Sequence, residues 1–178
     1  MNASSKKSNG QDQLSPEQER FQNLEKTLPT DPKERFDALS AVAVAAFKAG
    51  ALDEAQTYAN ELLSEANRNR GDAFYGNGIY YGNFVNGLVA LKRDNNLELA
   101  GDYLIAAGKT PGSPTLNSFG PNMLLAKELL ARGDKDTVLE FLNLCRSFWK
   151  VDLGRLDQWS NAIQQGETPN FASNLNYD

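Results

Sequence analysis

The chain has 178 residues, 40% of them hydrophobic, and a formal net charge of -5 at pH 7. That length suits one domain able to bury about two thirds of the surface its unfolded chain exposes, so neither a metal nor a disulfide is needed for folding. The acidic balance argues against a nucleic-acid-binding surface, which is normally basic.

Residues 1–14 are polar, carry Lys6 and Lys7, and lack the apolar content to offset ordering entropy, so a disordered tail is expected there. This opening resembles neither a signal peptide nor a membrane anchor, although a trimmed exported chain would look the same. No run approaches the roughly 18 apolar residues of a spanning helix. Asn2-Ala3-Ser4 fits a glycosylation sequon, a triplet common by chance. Cys145 is the single cysteine and cannot form an internal disulfide, which suits a reducing, cytoplasmic setting.

Ser15-Pro16-Glu17-Gln18 has the residues of a capping box and a first-turn proline, and Phe21, Leu24 and Leu28 follow at helical spacing. Pro29 ends that helix, and Asp31-Pro32-Lys33-Glu34 repeats the start signal. A second helix is expected over 32–49, with Phe36, Leu39, Val42, Ala43, Ala46 and Phe47 inward, closed by Gly50. A third runs from about Asp53 to Asn67 and must lie antiparallel to it.

Residues 73–92 mix Phe74, Tyr75, Tyr80, Tyr81 and Phe84 with Gly76, Gly78, Gly82 and Gly87. Each glycine weakens an isolated helix by about 1 kcal/mol relative to alanine. A helix accepting several must gain from close packing, and the place of this segment in the repeat outweighs its strand-like aromatics. Asn95-Asn96 makes the next turn, and Leu97 to Gly108 is the partner helix. Lys109 to Gly120 reads as a long loop, packed through Leu116 and Phe119. Ser118 or Gly120 is expected to cap a helix with Pro121 in its first turn, which Gly133 closes. Asp136 to Lys150 is then a third partner helix, and Leu153 to Gln165 a last amphipathic one. The expected organisation is a single helical-repeat domain over 15–166 and an extended tail over 167–178 anchored by Phe171.

Three stretches repeat one pattern, an apolar residue three before an aromatic: Ala55/Tyr58, Ala100/Tyr103 and Val138/Phe141. The first two copies are 45 residues apart and the last two 38, and in each the pair shares one helix face. With Ala43, Gly87 and Ala126 as small residues in the preceding helices, this resembles the tetratricopeptide repeat over about residues 35–150. The likeness departs in the aromatic, three rather than four residues on, and in spacing, since that family repeats about every 34 residues. It implies an all-α fold of antiparallel hairpins stacked as a short TPR-like right-handed array. The set Ser113-Pro114, Phe119-Gly120-Pro121-Asn122, Phe148-Trp149 and Trp159 also resembles small uncharacterised bacterial proteins, a likeness that brings no activity with it.

In the repeat family the first helices line a groove that receives peptides. Carried over, those positions are Val44, Phe47 and Lys48, then Tyr81, Phe84, Leu88 and Lys92, then Met123 and Lys127. Apolar anchors rimmed by lysines suit a short acidic-amphipathic segment of a protein partner, and the family's carboxylate clamp is not matched. The plain alternative is that the aromatics are core and the lysines solvated. The helix near the N-terminus, or the tail around Phe171, also has apolar residues enough to fill the groove itself.

Arg68 and Arg70 near tyrosines could stack on single-stranded RNA, but two arginines in an acidic chain read better as a solvated turn. There is no histidine, so the commonest general base and zinc ligand are missing. Cys145 lies on an inward face, the carboxylates Asp31, Glu34, Asp53, Glu54 and Asp136 sit at helix starts, and no phosphate loop appears. No cofactor, metal, nucleic acid or membrane is expected. The reading is a non-catalytic interaction or scaffold module. Its rivals are an apolar small-molecule carrier using the aromatic, glycine-rich second hairpin, and an enzyme using carboxylates and tyrosines.

Overall fold

A computed structural model describes residues 13–175. The Asn2 sequon and most of the expected N-terminal tail lie outside the described residues. Those residues form helices and turns with no strand. The helices are α1 (Pro16–Lys26), α2 (Pro32–Lys48), α3 (Leu52–Arg68), α4 (Tyr75–Asp94), α5 (Leu97–Gly108), α6 (Pro114–Phe119), α7 (Leu124–Ala131), α8 (Lys135–Cys145) and α9 (Arg155–Gln164). A short 3-10 turn, Ala172–Leu175, follows.

The starts and stops come from local chemistry. Ser15 and Gln18 close a reciprocal capping box, with Gln18 N donating to Ser15 Oγ at 3.2 Å and Ser15 N to Gln18 Oε1 at 2.9 Å. Asp31 Oδ1 accepts from the amides of Lys33 and Glu34, opening α2. Gly50 (φ 78°) and Gly133 (φ 90°) end α2 and α7 in the left-handed region, where a Cβ is penalised.

Three expectations need correction in the crossover. Ser113-Pro114 repeats the Ser-Pro start signal, and Ser113 Oγ accepts from Leu116 N, so the expected loop contains α6. Gly120 (φ 81°) stops it, and α7 begins only at Leu124, three residues after Pro121. Neither Ser118 nor Gly120 caps α7; Asn122 Oδ1 accepts from Leu124 N instead. Phe119, expected to pack the loop inward, is 58% exposed, while Leu116 is buried.

Neighbouring helices pack as pairs, α2 with α3, α4 with α5 and α7 with α8. Further contacts join α2 to α4 and α4 to α7, while α5 meets both α7 and α8; α1 lies on α2, and α9 on α8. Ala43 and Ala126 are fully buried and Gly87 is buried between its neighbours, as are Ala55, Ala100 and Val138 in the partner helices. Arg35 ties the first pair together, holding Glu61 through Nε at 2.5 Å and Nη2 at 2.9 Å.

α4 is the centre, packed against α2, α3, α5, α6 and α7. Its glycines are where neighbours come closest. A Cβ on Gly76 would collide with the backbone carbonyl of Gly112, and one on Gly87 with Leu125 of α7. The segment after α9 has no regular element until the 3-10 turn, and it lies on the body through Phe171, the anchor expected for it. Phe171 is buried edge-on against Trp159, with ring centroids 5.1 Å apart. Buried Asn174 donates from Nδ2 to the carbonyls of Phe119 and Pro121, each at 3.1 Å, and its own carbonyl accepts from Met123 N.

The glycines of α4 and α5 separate packing from propensity. At Gly101 an added Cβ meets only ordinary contacts, at 3.4 Å or more. Gly101→Ala should therefore stabilise by about 0.5–1 kcal/mol. Gly87→Ala should instead lower the unfolding free energy by about 1–2 kcal/mol, because overpacking outweighs the same helix gain. Urea denaturation of the two variants checks the opposite signs.

Candidate functional site

The first helices of the three hairpins leave one cleft between them, of about 440 Å³. The last residues of α2 form one side (Phe47, Lys48, Ala49 and Gly50). Leu88, Leu91 and Lys92 from the end of α4 form the floor, and Leu124, Glu128 and Arg132 along α7 the far wall. The floor is apolar, with Leu88 and Leu91 only 3% and 5% exposed. Three cations and one carboxylate line it, and that carboxylate, Glu128, is held by Arg132 Nη1 at 2.7 Å.

Of the residues expected from the sequence, Phe47, Lys48, Leu88 and Lys92 meet in this cleft. The others are elsewhere. Val44 is buried because α1, α3 and α4 surround α2, so residues 42–46 are all covered. Tyr81, Phe84 and Met123 are core, at 7%, 1% and 0% exposure. Lys127 is exposed but does not line the cleft. Residues missed were Leu91, Leu124, Glu128 and Arg132, of which the last three recur at i, i+4 and i+8. That stripe is present in the sequence.

The aromatic group of the second hairpin closes on itself. Tyr80 stacks on Phe84 with centroids 5.8 Å apart, and Tyr81 meets both edge-on, at 5.2 and 6.0 Å. Tyr80 Oη donates to the carbonyl of Asn122 at 2.6 Å. The rings pack against one another rather than around a space for a ligand. A second cleft, of about 330 Å³, lies at the other end of α2 and is lined by Phe36, Asp37, Leu62 and Phe74 among others.

Burial pushes the Cys145 thiol well above its usual range, the condition of an inert core cysteine. Among the described residues no three histidine, cysteine or acidic side chains group to hold a metal, and no helix is long and apolar enough to cross a membrane. Arg68 is paired with Glu65 at 2.7 Å, and Arg70 is exposed beside it on the turn. The α6 crossover is clamped from below: Thr110 Oγ1 donates to the carbonyl of Gly76 at 2.7 Å, and Ser113 Oγ to Asn77 Oδ1 at 2.5 Å.

Compared with family models, with curated proteins and with solved structures, the chain matches none.

Two tyrosines flanking this core couple stability to alkaline pH. Partial burial, helped by a hydrogen bond to Glu25, pushes Tyr58 from 10.0 to about 12. Full burial drives Tyr80 further in the same direction. Both groups favour the folded state while neutral, so their contribution is complete below about pH 10 and falls as pH rises through the folded values. A melting-temperature series from about pH 8 to about 12 should show that alkaline loss. In a phenolate absorbance titration Tyr80 should ionise only as the fold is lost.

Proposed function

We propose that this protein is a non-catalytic interaction module that holds a peptide or helix of a partner protein in the cleft formed by α2, α4 and α7. The observation that carries the reading is the cleft itself. An apolar floor contributed by successive hairpins is rimmed by Lys48, Lys92 and Arg132. Preformed helices present such anchors with little ordering cost at binding, and buried apolar anchors with charged rims are how grooves take amphipathic segments.

The hairpins are further proposed to form a short TPR-like right-handed array. What supports this is the contact of α2 with α4 and of α4 with α7 on the side of the first helices, and of α5 with α8 on the side of the second. The buried small residues at matching places, Ala43, Gly87 and Ala126, point the same way. A cytoplasmic setting fits the single buried thiol. The small-molecule alternative retains one favourable observation, since about 440 Å³ also falls in the size range of ligand pockets.

Selection from a displayed random-peptide library tests the proposal. Selected peptides should bind the native chain and weaken at least about tenfold with Leu124→Glu, which places a charge on a half-buried wall position. Backbone amides around residues 47–50, 88–92 and 124–132 should shift on binding. Peptides insensitive to Leu124→Glu, with shifts elsewhere, would overturn the cleft.

A further inference from the structure

Residues 167–175, the segment after α9, meet the body mainly through two side chains. Phe171 is buried edge-on to Trp159. Asn174 is buried too, donating from Nδ2 to the carbonyls of Phe119 and Pro121, while its own carbonyl accepts from Met123 N at 2.7 Å. Around these anchors Glu167, Thr168, Asn170, Ala172 and Ser173 are exposed.

Two features of the docked segment work against it. Ala172 has φ 42°, in the left-handed region where a Cβ crowds the backbone. Asn170 fixes it there, its Oδ1 accepting from Ala172 N at 3.0 Å. Asn174 Oδ1 is buried yet accepts no hydrogen bond among the described residues, and the buried Nε1 of Trp149, whose ring lies against Trp159, donates none. A buried polar atom without a partner has lost its hydration and gained nothing in return. Release would return Asn174 to water and Ala172 to an ordinary backbone.

What the segment holds is the start of α7. The Met123 amide is bonded to Asn174, and the Met123 carbonyl accepts from Lys127 N at 2.8 Å, closing the first turn of the helix. Leu124, the next residue, stands in the wall of the cleft. Segments with few buried anchors and a solvated backbone open at lower free energy than a core, and the core here is α4, buried nearly throughout from Tyr80 to Leu91. We propose that residues 167–175 are a latch. They leave the body as a unit while α2 to α5 stay folded, and the first turn of α7 loosens with them. The consequence for binding rests on the cleft reading above; the latch itself does not. A partner that needs the Leu124 wall favours the latched form, and latching favours the partner by the same factor.

Native-state hydrogen exchange on the full chain, followed amide by amide, tests this. The amides of Met123, Lys127 and Asn174, the last donating to the Phe171 carbonyl at 2.9 Å, should open together. Their protection should be at least about tenfold lower than that of Val85 in α4, with a weaker dependence on urea because less surface is exposed. Ala172→Gly should slow all three by about threefold as the left-handed penalty is removed. Phe171→Ala should speed them at least about tenfold; if that variant does not fold, the native chain and Ala172→Gly decide alone. Opening of all three with the protection and urea slope of Val85 would overturn the latch. Opening of Asn174 with Lys127 as protected as Val85 would overturn its hold on α7. A peptide selected by display should slow exchange at Asn174, which does not line the cleft, and a bound peptide that leaves Asn174 unchanged would overturn the coupling. A chain that opens as proposed but selects no peptide would overturn the cleft reading alone.

Discussion

The close packing of neighbours onto the glycines of α4 is the constraint from which the rest of this fold follows. A helix can touch five others only if parts of its surface carry no side chain, and α4 meets α2, α3, α5, α6 and α7. The residues that make this possible have poor helix propensity, about 1 kcal/mol worse than alanine each. Their loss is offset because α4 has no partner-free face over most of its length: from Tyr80 to Leu91 nearly every residue is buried. Van der Waals contact with the side chains of Ala66, Phe36, Leu63 and Leu125, and at Gly76 with the Gly112 backbone, replaces what the missing methyl groups would have contributed. The hairpins on either side need α4 as much as α4 needs them, because an isolated hairpin would leave one apolar face in water.

That enclosure also decides where a partner can be met. Everything apolar and aromatic in the middle of α4 is committed to the interior, which is why Tyr81 and Phe84 cannot serve a groove. Toward the end of the helix Leu88 and Leu91 form the buried floor of the cleft, and Lys92 is exposed. α2 obeys the same rule. Covered by α1, α3 and α4, it exposes its final turn, and Phe47 and Lys48 stand there while Val44 does not. The cleft is therefore built from the ends of α2 and α4 and from one face of α7. Its cations are where the helix dipoles favour them, so basic character in an acidic chain arises at this edge from helix architecture itself.

Most helix positions were legible in the sequence because they are dictated locally. Ser15-Pro16, Asp31-Pro32, Gly50, Asn96 and Gly133 each act within a few residues, and the structure places starts or stops at them. The all-helical character of the tyrosine-rich stretch could also be read, from its place between two clear hairpin partners. What could not be read was set by contacts distant in sequence. At the start of α7 the amide of Met123 is bonded to the carbonyl of Asn174, more than fifty residues later, which the sequence does not record, although the Asn122 cap beside Pro121 is local. Asn174 also takes the carbonyl of Phe119, whose ring is exposed. For the candidate site, Phe47, Lys48, Leu88 and Lys92 were among the groove positions carried over from the tetratricopeptide resemblance, and they meet in the cleft. Val44, Tyr81, Phe84 and Met123 were misplaced because a helix's inner and outer faces cannot be told apart when neighbours enclose it on every side.

The same long-range tie makes the cleft depend on the end of the chain. Leu124 forms its far wall, and the residue before it, Met123, is fully buried with its amide bonded to the Asn174 carbonyl. Asn174 in turn is held where Phe171 anchors against Trp159, whose ring lies 5.8 Å from that of Trp149, and Trp149 packs on Gly120. The chain therefore passes from the last helix back to the first turn of α7 through a continuous path of aromatic contacts and backbone hydrogen bonds. α7 has only 8 residues, among the shortest helices here, and a helix of two turns is marginal on propensity alone. Its position, and with it one wall of the cleft, is secured by this closure rather than by its own sequence. Residues 167–175 thus belong to the body that builds the site, held there through Phe171 and Asn174.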